Sequence, residues 1–413
     1  MNKVSIFSTF LLPFSFIGLL HNPITFGCLI LIAVTLIFFE SREELKSFFL
    51  ILNNRSLVFS FFTLCVLMII SSLYSVDIQR SLLVIIYLVS FIFLSFIIYK
   101  FLTFNFDRVE FISKKFLYTV FFIIIFIFFY NIFNTKINEN DYGIINYSIS
   151  EVRRFKGVVN IYALLVCLLP LFEIQIRKIP FLSILSFLLL IPVILISNSN
   201  SSFLGILIGL KCVCIYMLLK KISSKKKYFL ALSSVFIVFL FIIFKFNDFM
   251  PKINEEQDIN KTVFVINPKI IDIHRQFIWS FSIDQIKENY FFGIGPDTSN
   301  FIPGSQEVIG HDQTGNMNFL PSHPHNFLIE LLLEIGLFGT FSFFLFVIII
   351  NTQFLERYSN KYNFYLIFFN GYFWGSSLVN FSFWNAWWQG SYFLLLAIIL
   401  ANLKYKTKSN NSF

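Results

Sequence analysis

Apolar runs close to 20 residues long alternate with short polar breaks along almost the whole chain. A bilayer's hydrocarbon core is about 30 Å thick, which roughly 20 helical residues cross. Lipid offers the backbone no hydrogen bonds, so such runs must span as helices. A hydropathy window places about twelve spans, near 4–20, 24–39, 56–74, 81–99, 116–134, 158–175, 179–196, 202–219, 228–244, 326–350, 362–383 and 388–403. One hydrophilic interval, 245–325, breaks the rhythm. Within it, 273–292 reads as a helix with Ile273, Phe277 and Phe281 on one stripe, stopped by Gly293-Ile294-Gly295-Pro296. An amphipathic helix lying on the membrane surface is the expectation there. The pattern predicts an all-α polytopic membrane protein: nine spans over 1–244, a long loop with short helices over 245–325, and three spans with a tail over 326–413.

Composition agrees: 57% of the 413 residues are hydrophobic, 13% are charged, and the mean hydropathy is +0.75. The net charge of +9 is uneven along the chain. One alternate set of connections carries 20 Lys and Arg, whereas the short connections of the other carry only Arg80, Lys136, Arg153, Arg154 and Lys156. The positive-inside rule then puts both termini in the cytoplasm and the long loop outside, and accounts for the charge without any nucleic-acid partner. Trp384, Trp387 and Trp388 fall at an outer turn, where an interfacial aromatic belt is expected. The first span has a Lys3 flank and no small-residue cleavage site, and so reads as a retained helix. Cys28, Cys65, Cys167, Cys212 and Cys214 lie in apolar runs, which argues against a disulfide framework or a structural zinc site.

Candidate chemistry gathers in the loop. Four of the five histidines (His274, His311, His323 and His325) lie there. The segment Ser322-His323-Pro324-His325-Asn326 abuts a very apolar span. Pro324 suits a helix's first turn and Ser322 could cap it. An imidazole at a helix N-terminus is held neutral by the dipole and can serve as a general base; the plainer alternative is that His325 merely ends a span. Asn326, Glu330 and Glu334 share a face at i, i+4 and i+8. Carboxylates in a span face a wet cavity or an interhelical hydrogen-bond network. Gly336 and Gly339 read as close-packing positions. Arg153-Arg154 precedes the sixth span, Arg275 opens the loop helix and Arg80 starts the fourth span. Guanidinium on the less basic side suits a substrate phosphate; solvated charge, or pairing with Glu151 or Asp77, is the alternative. Lys211 interrupts the eighth span and is a weaker candidate, since its stem can snorkel. His323-Pro324-His325 lacks the partners of a zinc site, so no metal is expected.

His325-Asn326 followed by nine residues, Gly336, two residues and Gly339 resembles the signature of the bacterial O-antigen ligase family, shared loosely with O-antigen polymerases. Asp272-Ile273-His274-Arg275-Gln276-Phe277-Ile278-Trp279 leading to Phe292-Gly293-Ile294-Gly295-Pro296, Arg153-Arg154-Phe155-Lys156-Gly157, and Ser72-Leu73-Tyr74-Ser75-Val76-Asp77 resemble three further family segments in order and spacing. The resemblance implies an inner-membrane, metal-independent, inverting glycosyltransferase with no cofactor. It implies an undecaprenyl-diphosphate-linked glycan as donor at the periplasmic face. The acceptor is a lipid A–core hydroxyl in a ligase, or a second lipid-linked glycan in a polymerase. Carried over by motif, His325 would activate or orient the acceptor hydroxyl and Arg275 would hold the diphosphate. Arg153, Arg154, Asn326, His323, Arg80 and Glu330 complete the expected substrate-binding set. One departure stands out: Asn200 occupies a position where the family usually has Arg. A twelve-span transporter or flippase is the competing class, and predicts pseudo-symmetric halves with polar midplane residues.

Overall fold

In the computed structural model, residues 3–40, 55–104, 106–133, 135–137, 145–147, 155–176, 181–219, 244–252, 258–357 and 362–410, with parts of 230–242, are described. Twelve long helices dominate them. They are α1 (Lys3–His21), α2 (Pro23–Glu40), α3 (Arg55–Leu73), α4 (Ile78–Phe104), α5 (Phe106–Phe133), α6 (Lys156–Ile176), α7 (Phe181–Ile196), α8 (Asn200–Leu218), α9 (Ile273–Glu288), α10 (Phe327–Arg357), α11 (Asn363–Ser377) and α12 (Ala386–Asn410). Two three-residue strands, β1 (Thr135–Ile137) and β2 (Ile145–Tyr147), pair antiparallel in the connection before α6. Eleven of the twelve expected spans coincide with a helix; the span near 228–244 falls largely outside the described residues. Among the described residues, eight helices are long and apolar enough to cross a membrane, and the all-α polytopic class holds.

The burial pattern is that of a bundle in lipid. Helix α6 runs through the middle, with Tyr162, Leu165, Leu169 and Phe172 fully buried. By contrast Phe39, Phe59, Phe133 and Leu218 are large, apolar and exposed on the periphery. Lipid is as apolar as a helix interface, so outward positions need no polar residues. The cysteines are free, and Lys211 is exposed on α8.

Helix α10 is interrupted. Gly336 has φ 65° and ψ −174°, and two consecutive rungs of the helix are lost there. The segment after α9 fills the gap strand-fashion: Ile294 N–H donates to Leu333 O (3.1 Å) and Gly295 N–H to Glu334 O (2.9 Å). Conversely Leu337 N–H donates to Tyr290 O (3.0 Å) and Phe338 N–H to Phe291 O (3.3 Å). Every backbone group that the break frees is thus satisfied, as apolar surroundings demand. Gly336 therefore breaks the helix where close packing was expected.

Two further expectations are corrected. Helix α9 is buried on both sides, so it does not lie on a membrane surface. Ile278, Trp279, Ile283 and Ile286 pack on Ile329, Leu332 and Leu333 of α10. On its other side Ile273 and Phe277 pack with Ile309 and Phe319 from the same loop. Of the three tryptophans expected in a belt, Trp387 is half-buried, whereas Trp384 and Trp388 are buried, and Trp388 stacks on Phe373 at 4.3 Å while donating to Ser377 Oγ.

The break makes Gly336 intolerant of a side chain, because a Cβ would collide with the Phe291 carbonyl in a conformation that L residues avoid. Gly336→Ala should lose roughly 2–3 kcal/mol. Gly315→Ala, at φ +56° with open space around it, should lose only about 1 kcal/mol. Thermal melts of the two variants in detergent check this ordering.

Candidate functional site

The end of the bundle where α10 and α12 begin holds the histidines. Asn326, the last residue before α10, accepts from the N–H groups of Leu328 (3.0 Å) and Ile329 (3.3 Å). It is the helix cap, a role expected of Ser322. Ser322 instead lies 2.9 Å from Nδ1 of His323, and Pro324 precedes the helix rather than opening it. His325 stands just outside the helix at φ 55°, which costs a non-glycine residue about 1 kcal/mol. Trp279 Nε1–H of α9 donates to Pro324 O at 2.8 Å and pins the turn.

The turn between α11 and α12 closes on the same place. His325 Nδ1 lies 3.3 Å from Asn380 O. A carbonyl has no proton to give, so Nδ1 carries the ring's N–H and Nε2 holds the lone pair. The His323 ring packs 4.1 Å from that of His325. Arg275 comes from the first turn of α9; its Nε is 3.2 Å from Asp272, the residue that caps α9 by accepting from Arg275 N–H. Burial holds the His325 imidazole below its ordinary range, and the Arg275 charge pushes the same way. His323 is pushed down to about 3, by burial first and then by His325 and Arg275, against the pull of the Asn380 carbonyl. Both imidazoles are thereby pushed toward the uncharged form beside a guanidinium.

The acidic residues of α10 are engaged elsewhere. Glu330, expected among the substrate-binding residues, is 0% exposed. Its two oxygens accept from Ser382 Oγ–H and from Phe383 N–H (2.7 Å). Glu330 thereby holds the turn that carries Asn380. Glu334 accepts from Asp297 N–H (2.7 Å) and Ser299 N–H (3.1 Å), so it holds the loop threaded through the break. These carboxylates form the interhelical network that the sequence reading kept as an alternative. Arg80 is bound to Asp297, with Nε and Nη2 both 2.9 Å from Oδ2, and covers the Phe301 ring. Asp77, its expected partner, instead accepts from Arg80 N–H and caps α4.

His323, His325, Asn326 and Arg275 are therefore brought together. Arg80 and Glu330 belong to flanking networks, and Arg153 and Arg154 lie outside the described residues. His274 donates from Nε2 to Asn318 O (3.1 Å). His311 packs against Phe264 and Phe277, and its Nδ1 accepts from Gln313 N–H. Asn200, at the start of α8, is exposed. Three residues escaped the sequence reading: Asn380, Trp279 and Asp297. Trp279 lies one helical turn past Arg275 and was legible as its neighbour; nothing in the sequence ties Asn380 to a histidine 55 positions earlier.

The fold and this cluster define a polytopic helical membrane protein with a His–Arg site at one end of its bundle. A family model described as O-antigen ligase matches residues 185–344, the stretch that carries Arg275, His325 and Gly336. It is similar to proteins named "Putative polysaccharide ligase" from Rickettsia species. The one from Rickettsia conorii is 28% identical over 224 residues, 52% of this chain and 50% of the relative. That from Rickettsia felis is 27% identical over 224 residues, 52% and 51% of the two chains. That from Rickettsia prowazekii is 26% identical over 226 residues, 53% and 52%. The chain spans about half the length of the curated relatives it matches.

The neutral imidazoles carry a pH signature. Below about pH 6.5 the unfolded chain protonates these histidines while the folded chain resists. The unfolded state then binds more protons, so stability falls as pH drops through that window. His323→Phe should flatten the fall between about pH 6.5 and 5, read as melting temperature against pH.

Proposed function

We propose that the chain is a glycosyltransferase working at the outer face of the bacterial inner membrane. It moves a glycan from undecaprenyl diphosphate to a hydroxyl of lipid A–core. The carrying observation is the held imidazole: Asn380 O fixes the proton on His325 Nδ1 and leaves Nε2 as a base. The family match and the names of the relatives support a ligase.

The chemistry follows from the groups present. The acceptor hydroxyl gives its proton to His325 Nε2 as its oxygen bonds to the anomeric carbon. The bond from that carbon to the diphosphate oxygen breaks on the opposite side, so the carbon inverts and the electron pair leaves with undecaprenyl diphosphate. Charge builds on the leaving phosphate, and the Arg275 fork is suited to receive it. The existing Arg275–Asp272 contact is a partly exposed ion pair and is weak enough to yield to phosphate.

Lipid-linked glycan and lipid A–core, supplied to the purified protein, test the reading. Transfer should fall by about 10²–10⁴ in His325→Ala with the fold retained. A second lipid-linked glycan serving as acceptor in place of lipid A–core would identify a polymerase. Lipid movement with no new glycosidic bond would identify a transporter.

The Arg275 charge also sets a direction for pH. Because it depresses the His325 pKa, Arg275→Gln should move the acidic limb of the rate profile to higher pH, in addition to lowering the rate. A limb that stays in place would detach Arg275 from the base.

A further inference from the structure

Proteins keep few buried hydrogen-bond donors without a partner, and each one calls for a reason. Two of them flank His325. Nε2 of His323 and the side-chain Nδ2 of Asn380 are both buried; Nδ2 has no partner among the described residues, and Nε2 makes no well-formed hydrogen bond, since the Asn380 carbonyl that attracts its ring is already taken by His325 Nδ1. They belong to one cluster. The His323 ring lies 4.1 Å from the His325 ring, and Asn380 is the residue whose carbonyl takes His325 Nδ1. Ser322 Oγ lies 2.9 Å from His323 Nδ1; with the hydroxyl donating, the ring's single proton sits on Nε2.

The chemistry of these donors narrows what they can hold. Both are uncharged N–H groups. The cation of the site is Arg275, whose planar fork suits phosphate. A neutral imidazole and a carboxamide suit a neutral oxygen, such as a sugar hydroxyl or ring oxygen. An acceptor sugar presents such oxygens beside its nucleophilic hydroxyl.

We propose that His323 Nε2 and Asn380 Nδ2 form a binding subsite for an uncharged sugar oxygen of the acceptor, adjacent to the hydroxyl that His325 deprotonates. The inference rests on the reading of His325 as the base. It adds residues that set acceptor recognition, one of which lies beyond the segment matched by the family model.

Initial rates of the full-length protein in detergent decide it, with lipid-linked glycan and lipid A–core varied in turn. His323→Phe and Asn380→Leu should each raise KM for lipid A–core by about tenfold, as loss of a hydrogen bond to a buried donor does. KM for the lipid-linked donor should not change. The acidic limb of kcat should stay in place in Asn380→Leu, since the carbonyl that holds His325 is backbone. His323→Gln restores an N–H and should recover part of the loss. Asn380→Ser, smaller and polar, serves where the leucine variant does not fold. A rise confined to KM of the donor, or no change in either KM, overturns the subsite. So does a displaced acidic limb with unchanged acceptor KM, which would show side chains that only shape the base. Failure of the base itself reads differently: His325→Ala would then retain transfer.

Discussion

Two missing rungs in one helix organise this end of the molecule. Where α10 turns at Gly336, the carbonyls of Leu333 and Glu334 and the N–H groups of Leu337 and Phe338 lose their helical partners. In an apolar bundle such orphans are expensive. The segment 290–295 satisfies all four, and in doing so fixes the end of α9, hence Arg275 and Trp279, against α10, which carries Asn326 at its start. Ser71 of α3 adds a hydroxyl bond to Glu334 O at 2.6 Å, and Ser81 of α4 donates to Pro296 O at 2.9 Å. Four helices are registered to one another by the repair of a single defect.

The buried carboxylates extend that logic. Glu334 binds the loop in front of the break and Glu330 binds the turn before α12, one helical step apart. Each accepts from a backbone N–H, a strong use of a carboxylate and a directional one. Two segments remote in sequence are thereby clamped onto the same turn of α10. The arrangement suits the site: the two buried glutamates are spent on structure, and the Arg275 guanidinium stands beside the histidines. Burial and then the Arg275 charge push the His325 imidazole toward its neutral form, the form that accepts a proton.

The bundle was legible because one rule, apolar runs of about one bilayer thickness, governs nearly every element. Its failures are physical. The span expected to reach residue 383 stops at Ser377, because Glu330 draws Ser382 and Phe383 into a turn that hydropathy cannot register. The α9 stripe of Ile273, Phe277 and Phe281 was real, but the opposite side carries Ile278, Trp279 and Ile283 and meets α10. A loop long enough to fold back covers both sides, so a stripe need not face lipid. Within the site, the His325 and Arg275 pairing was readable from residue types crowded into one loop. Asn380 was not, since its contribution to His325 is a backbone carbonyl, which every residue has.

The position of His325 explains why the site needs so much support. A histidine inside the first turn of α10 would have its ring set by helical geometry. One residue outside the cap, at positive φ, the ring is freed from the helix and must be positioned by other contacts. Trp279 holds the preceding carbonyl, Asn326 anchors the following helix, and Asn380 fixes the ring nitrogen. These three contacts come from α9, from the start of α10 and from the turn before α12. Each of those elements is tied to the others by the threaded break or by a buried glutamate. The strained residue is held where the network converges, and that convergence turns a loop histidine into an imidazole of defined orientation and protonation.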